Sequence, residues 1–130
     1  MSENLEIAKA WVDACNSGDT DAALALCDPV IVLTEADTLP GAISSIGYDE
    51  VQRYLEGFQA HWSEWSWEPI EFREAGDKVY LHARLKLLGR RSGIAVDREW
   101  RYVFTIRDGR LLRHDGFDEE AEALKAAGLA

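Results

Sequence analysis

Between Ala95 and Phe117 the chain reads AVDREWRYVFTIRDGRLLRHDGF, two alternating runs joined by Arg107-Asp108-Gly109-Arg110. Asp-Gly between such runs is a strong β-hairpin signal, because a tight turn needs residues that tolerate positive φ. Side chains on a strand alternate between its faces. Arg98, Trp100, Tyr102, Phe104 and Ile106 therefore share one face, and Asp97, Glu99, Arg101, Val103 and Thr105 take the other. The aromatic face is the one to bury, and polar groups stranded on it are the first site candidates.

Two registers are open for the second run. A two-residue type I′ turn pairs Arg107 with Arg110 and sets Arg113, Asp115 and Phe117 on the aromatic side. A type I turn with Gly109 as a left-handed bulge pairs Ile106 with Arg110 and brings Leu112, His114 and Gly116 there instead. The second is preferred, because it buries Leu112 and turns Arg113 and Asp115 outward. His114 is then the one polar group left to justify, a cross-strand neighbour of Tyr102.

The remaining segments supply cover for that face. Leu5, Ala8, Trp11, Val12 and Cys15 recur at helical spacing, and Asn16-Ser17-Gly18 stops the helix. Asp19 caps a second short helix that Pro29 ends at about Asp28. Val30 to Thr34 is a buried strand, and a loop rich in Pro, Gly and Ser runs from Ala36 to Gly47. Tyr48 to about His61 is a third helix, with Val51, Leu55, Phe58 and Trp62 down one side.

Trp65 to Arg73 is a strand whose Pro69 marks it as an edge or bulged one. Val79, Leu81, Ala83, Leu85 and Leu87 alternate with Tyr80, His82, Arg84 and Lys86 in the next strand, and Asp118 caps a closing helix. The order predicts an α+β domain over residues 1–130, a curved antiparallel sheet with helices packed on one side.

Charge and cysteine content narrow the partners. A net charge of −10 argues against nucleic acid and anionic membranes. Cys15 and Cys27 lack metal-ligand spacing and read as reduced, buried thiols of a cytoplasmic protein. No signal peptide and no bilayer-length apolar run stands out. No cluster has metal spacing and no glycine-rich loop follows a strand, so neither a metal nor a cofactor is expected.

This order and its punctuation resemble the nuclear transport factor 2-like superfamily, the cone-shaped, cystatin-like fold of ketosteroid isomerases and SnoaL-like polyketide cyclases. Residues 12–19 (VDACNSGD), 75–79 (AGDKV), 107–111 (RDGRL) and 120–129 (EAEALKAAGL) carry the likeness. It implies a deep apolar pocket on the concave side of the sheet, under the first three helices, and a homodimer. Ketosteroid isomerases have a tyrosine on the first helix, an aspartate base after the first strand and a second aspartic acid further on. Those positions fall here on Trp11, on Thr34 or Glu35, and on Tyr102 or Arg101. SnoaL-like cyclases carry a His and an Asp two apart on the last strand; His114 matches, Gly116 takes the acid's place, and Asp115 is one residue out of phase.

The candidate catalytic residues are thus His114 and Tyr102, expected within hydrogen-bonding reach of each other in the pocket, and Glu35, expected at or near its rim. A pocket imidazole beside a phenol is an acid or base at neutral pH, and a carboxylate against an apolar wall is a proton acceptor. Trp11 can only donate, through its indole nitrogen, and is expected to pair with the Tyr102 hydroxyl. Trp11, Arg98, Trp100, Phe104, Phe58 and Leu112 are the expected substrate contacts. Each also has a plain structural reading, as core or rim.

The leading function is a pocket for a small apolar molecule, with cofactor-independent isomerase, cyclase or hydratase chemistry by proton transfer. A non-catalytic binder of an apolar ligand is the alternative. A third is a dimerising adaptor working through the outer sheet face of Tyr80, His82, Arg84, Glu99 and Arg101.

Overall fold

The computed structural model describes residues 2–39 and 44–130. Pro40 to Ile43 of the expected loop lie outside the described residues. Helix α1 (Glu3–Ser17) starts where the Ser2 side chain accepts the Leu5 amide and ends at Gly18, whose φ of 73° is the left-handed conformation a helix stop favours. Asp19 caps α2 (Thr20–Ala25) by accepting from the Ala22 amide.

The second helix is shorter than Pro29 suggested. Strand β1 (Cys27–Thr34) already begins at Cys27, which pairs with Leu111, and the Leu111 amide donates to the Leu26 carbonyl at 2.8 Å. Pro29 falls in the gap of that ladder between Cys27 and Val32, where a missing N–H leaves no partner unsatisfied. After the two-residue strand β2 (Ser45–Ile46) come α3 (Gly47–His61), β3 (Trp62–Ala75), β4 (Lys78–Gly89), β5 (Ala95–Arg107), β6 (Arg110–Phe117) and α4 (Glu120–Ala126).

The strands form one curved sheet in the order β2-β1-β6-β5-β4-β3. Neighbours are antiparallel, except that β1 runs parallel to β6. As Pro69 implied, β3 is both an edge strand and bulged: the register shifts between Pro69 and Glu71, and Ile70 is left exposed.

Alternation along β4 and β5 sorts the two faces. Leu81, Ala83, Leu85, Leu87, Trp100, Tyr102, Phe104 and Ile106 face α1–α3 in the main core. Tyr80 and Val103 point the other way, onto Ala123 of α4 and Ala127 at its C-terminal cap, so the closing helix covers part of the outer face. Asp118 does not cap that helix. Glu119 holds the cap position without a side-chain bond, and the Asp118 carbonyl accepts from Arg101 at 2.9 Å. Further along the outer face, His82 Nε2 lies 2.7 Å from Glu99 Oε1 and a cross-strand ion pair joins Arg84 to Asp97 at 2.8 Å.

The hairpin combines parts of both expected registers. Asp108 and Gly109 have φ of 53° and 74°, and Arg107 pairs with Arg110, the two-residue turn. The pairing then runs from Ile106–Leu111 to Thr105–Arg113, leaving Leu112 as an extra residue in β6. This bulge returns His114 and Gly116 to the aromatic face, opposite Phe104 and Tyr102 respectively. The expected inward Leu112 is corrected: Leu111 is the buried one and Leu112 is only half-buried.

Candidate active site

The Asn16-Ser17-Gly18-Asp19 turn fastens two helices to the edge strand. The Asn16 side chain accepts the Trp67 amide at 2.8 Å and donates to the Trp67 carbonyl at 2.9 Å, as a neighbouring strand would. The Trp65 indole donates to the Cys15 carbonyl at 3.0 Å. Gln59 of α3 donates to the Gly18 carbonyl and to Thr20 Oγ1, both at 3.1 Å. Helices α1, α2 and α3 are thereby held over the sheet with a pocket between them.

That pocket opens to solvent and takes in about 570 Å³, the open solvent at its mouth included. Leu33, Leu39, Leu55, Leu85 and Leu87 form its aliphatic walls; Trp11, Tyr54, Phe58, Trp65, Trp67 and Tyr102 form its aromatic ones. Phe58 stacks on Trp67 at 5.3 Å between ring centroids. The polar groups set among these walls are few, and Glu35 and His114 are two of them.

Glu35, His114 and Trp11 form a hydrogen-bonded chain. The Trp11 indole N–H lies 3.1 Å from His114 Nδ1, and His114 Nε2 lies 3.0 Å from Glu35 Oε1. An indole nitrogen only donates, so Nδ1 is the acceptor and carries no proton. The ring proton therefore sits on Nε2 and is donated to Glu35, which fixes the tautomer of a neutral imidazole. Glu35 is not at the rim as its place in the sequence implied: its side chain is only 5% exposed. Its second oxygen, Oε2, is shut off from solvent and has no hydrogen-bond partner.

Gly116 makes room for that carboxylate. A Cβ built on Gly116 would lie 2.5 Å from Glu35 Oε1, 2.7 Å from its carboxyl carbon and 2.8 Å from Oε2. The family likeness leads one to expect an acid on this strand at residue 116. Instead the strand is bare there, and a carboxylate from the end of β1 fills the space beside the histidine.

Tyr102 stands next to this chain without bonding to it. Its ring centroid lies 4.8 Å from that of His114, but its hydroxyl accepts from the Trp67 indole at 2.6 Å. The expected Trp11–Tyr102 and His114–Tyr102 bonds are both replaced, since Trp11 serves the imidazole and Trp67 the phenol. With its oxygen engaged by a donor, the Tyr102 O–H is free to donate elsewhere. Burial pushes its pKa well above the usual phenol range and the Glu35 charge adds to that, against the Trp67 bond that pulls it down. Burial, then Glu35, also raises the Tyr54 phenol. Both phenols are held as donors.

The other expected contacts are dispersed. Phe58 lines the pocket; Phe104 lines a smaller adjoining cavity together with Trp11, Tyr102 and His114. Trp100 is fully buried behind the lining, with the Arg98 guanidinium 5.4 Å from its ring, and Leu112 is the hairpin bulge. None of these three lines the pocket among the described residues. Asp115 faces away, bound to Arg113 at 3.0 and 3.1 Å and to the Thr34 hydroxyl at 2.7 Å. Burial opposes its ionisation, but the Arg113 and Thr34 bonds win and hold its carboxyl below the ordinary range.

Trp65, Trp67 and Tyr54 were not among the expected site residues, although signals for them exist. Trp65 and Trp67 alternate around Ser66, which places both on one face of a strand. Tyr54 lies three residues after Val51 on the apolar stripe of α3. Among the described residues no group of three or more His, Cys, Asp or Glu could hold a metal ion.

Residues 8–114 match the family model of the SnoaL-like domain. The chain belongs to the SnoaL-like family, within the nuclear transport factor 2-like and ketosteroid isomerase-like fold. A nuclear transport factor 2-like protein of unknown function from Burkholderia pseudomallei is similar at 21% identity and TM-score 0.81, with 98% of each chain covered. A putative polyketide cyclase from Sinorhizobium meliloti is similar at 28% identity and TM-score 0.70, covering 86% of this chain and 94% of that one. A hypothetical protein from Catenulispora acidiphila with a ketosteroid isomerase-like fold, crystallised with trimethylamine, is similar at 14% identity and TM-score 0.78, covering 96% of this chain and 94% of that one. No curated protein matches the chain.

Proposed function

We propose that this protein, one domain over residues 1–130, is a cofactor-independent acid–base catalyst of the isomerase, cyclase or hydratase type, acting on a small, largely apolar molecule. The observation that carries this reading is the Glu35–His114–Trp11 chain set in the wall of an aromatic pocket. Glu35 is the base: it takes a proton from a carbon beside a carbonyl, and the C–H electron pair becomes the enolate. His114 keeps one carboxylate oxygen in place through its Nε2–H, and Trp11 keeps the imidazole in that tautomer. Tyr102 donates to the developing enolate oxygen, and Tyr54 is a second phenol in the same wall. Return of the proton to a different carbon completes an isomerisation; attack of the enolate on an internal carbonyl, whose π pair becomes an alkoxide that takes back the proton held by Glu35, completes a cyclisation.

Membership of the SnoaL-like family and the likeness to a polyketide cyclase support the small-molecule reading. The neighbour crystallised with trimethylamine is consistent with a ligand pocket in this fold. A non-catalytic binder is the second reading, favoured by the sealing of Glu35 Oε2 from solvent in the empty pocket. The proposal extends to a homodimer using the outer sheet face beyond α4, and to the cytoplasm, where the free thiols Cys15 and Cys27 stay reduced. No described helix is long and apolar enough to cross a membrane.

Hydrogen–deuterium exchange tests the chemistry. A panel of cyclic ketones and enones is incubated with the protein in D2O, and loss of the α-proton signal is followed by NMR. Catalysed exchange that falls by about a hundredfold or more in Glu35→Gln is expected, because a positioned base contributes at least that much. Exchange that survives the substitution overturns Glu35 as the base. No catalysed exchange for any member overturns the catalytic reading in favour of the binder.

A further inference from the structure

We infer that the pocket takes an organic ammonium cation, an otherwise apolar and preferably aromatic molecule carrying one protonated amine. The inference rests on the small-molecule reading of the same pocket and names the ligand class.

Three observations point to positive charge. The described lining contains two acids, Glu35 and Asp19, and no lysine or arginine. The Glu35 side chain is 5% exposed, receives one neutral imidazole N–H on Oε1, and has nothing on Oε2. Arg113, the basic residue beside His114, is already committed to Asp115 through two hydrogen bonds. A buried carboxylate is costly unless paired, and nothing among the described groups of this wall supplies the counter-charge. Asp19 cannot help, being a like charge that caps α2.

The walls suit the same ligand. Trp11, Tyr54, Phe58, Trp65, Trp67 and Tyr102 present π-systems, whose negative faces attract a desolvated cation more than a neutral group of equal size. A protonated amine in the pocket can also turn an N–H toward the Glu35 carboxylate, adding a charge-assisted hydrogen bond to a group that receives only the His114 one.

Benzylamine, charged at pH 7, and benzyl alcohol, neutral and of nearly the same shape, separate charge from size. Binding of each is titrated by calorimetry at 0.15 M and 0.5 M salt, on the wild type and on Glu35→Gln. The expected result is benzylammonium binding about tenfold or more tightly than the alcohol, with the ratio falling to about one in Glu35→Gln. The ratio should persist at 0.5 M salt, because a buried charge is little screened, whereas general attraction to an acidic protein would vanish. Equal binding of the two probes, a ratio unchanged in Glu35→Gln, or a ratio lost at 0.5 M salt overturns the cation inference and leaves the pocket reading standing. Failure of both probes overturns the inference as well, while the exchange assay with neutral carbonyl compounds judges the catalytic reading separately.

Discussion

Adding one methyl group to Gly116 should dislodge the site's carboxylate. The new Cβ would stand 2.5–2.8 Å from three atoms of the Glu35 carboxyl group, a spacing that real Cβ atoms do not show. The backbone of residue 116 is ordinary strand without positive φ, so alanine itself costs nothing there; relative to glycine it should gain about 0.5–1 kcal/mol in a strand. The clash therefore falls on Glu35, which must leave the His114 ring. Losing a hydrogen bond to a charged group costs about 1.5–3 kcal/mol, while the shift itself is cheap because the clashing atoms are the far end of a flexible side chain. Net of the strand preference of about 0.5–1 kcal/mol, Gly116→Ala should destabilise the wild type by about 0.5–2.5 kcal/mol. In a Glu35→Ala background nothing remains to clash with, and the same change should be neutral or slightly stabilising. Urea unfolding of the four proteins measures both steps. The expected coupling of roughly 2 kcal/mol lies above the ~0.5 kcal/mol scatter of independent sites. An equal cost of Gly116→Ala in both backgrounds would refute the idea that Gly116 is bare in order to admit Glu35.

Three further outcomes follow from the structure. Asp115, held below its ordinary range in the fold, contributes stability that is present above its unfolded value of 3.8 and lost as pH falls through its lower folded value; Asp115→Asn should flatten acid unfolding in that window. The Cys27 thiol is pushed up to about 12, first by burial and then by Asp28, so unfolding releases its proton and stability falls as pH rises from 9.0. Cys27→Ala should lower stability overall yet remove up to about 1.4 kcal/mol per pH unit from that alkaline slope, read by denaturant unfolding across the range. Tyr102→Phe should slow any turnover found in the exchange assay by about a hundredfold while costing about 1 kcal/mol of stability, since it removes a donor and one modest hydrogen bond.

The hairpin made most of the sheet legible, and the limits of that reading have physical causes. Alternation from Arg98 to Ile106 identified the buried face, because one face of β5 is packed into the main core and tolerates little else. The parallel seating of β1 on β6 left no local mark, since strands far apart in sequence carry no turn that records their direction. The Leu112 bulge was hidden for a similar reason: two adjacent leucines satisfy either register, and only the packed core selects Leu111.

In the site, His114 and Tyr102 were legible as polar groups on an apolar face, and Glu35 as an acid closing a strand. Their bonding partners were not. Trp67 reaches Tyr102 from the far edge of the sheet and Trp11 reaches His114 from the first helix, contacts set by curvature and helix placement. Gly116 read alone as a missing acid; beside Glu35 in space it reads as the vacancy another acid fills.

The tautomer of His114 tests the central claim most directly. With His61 and His82 replaced by glutamine, the remaining histidine can be read by nitrogen-15 NMR of the imidazole. The Glu35–His114–Trp11 chain predicts a ring with its proton on Nε2 and an unprotonated Nδ1 whose resonance moves once Trp11→Phe removes the indole donor. A ring protonated on Nδ1 alone in the otherwise native protein, or an Nδ1 resonance indifferent to Trp11→Phe, would contradict the chain on which the proposed chemistry rests.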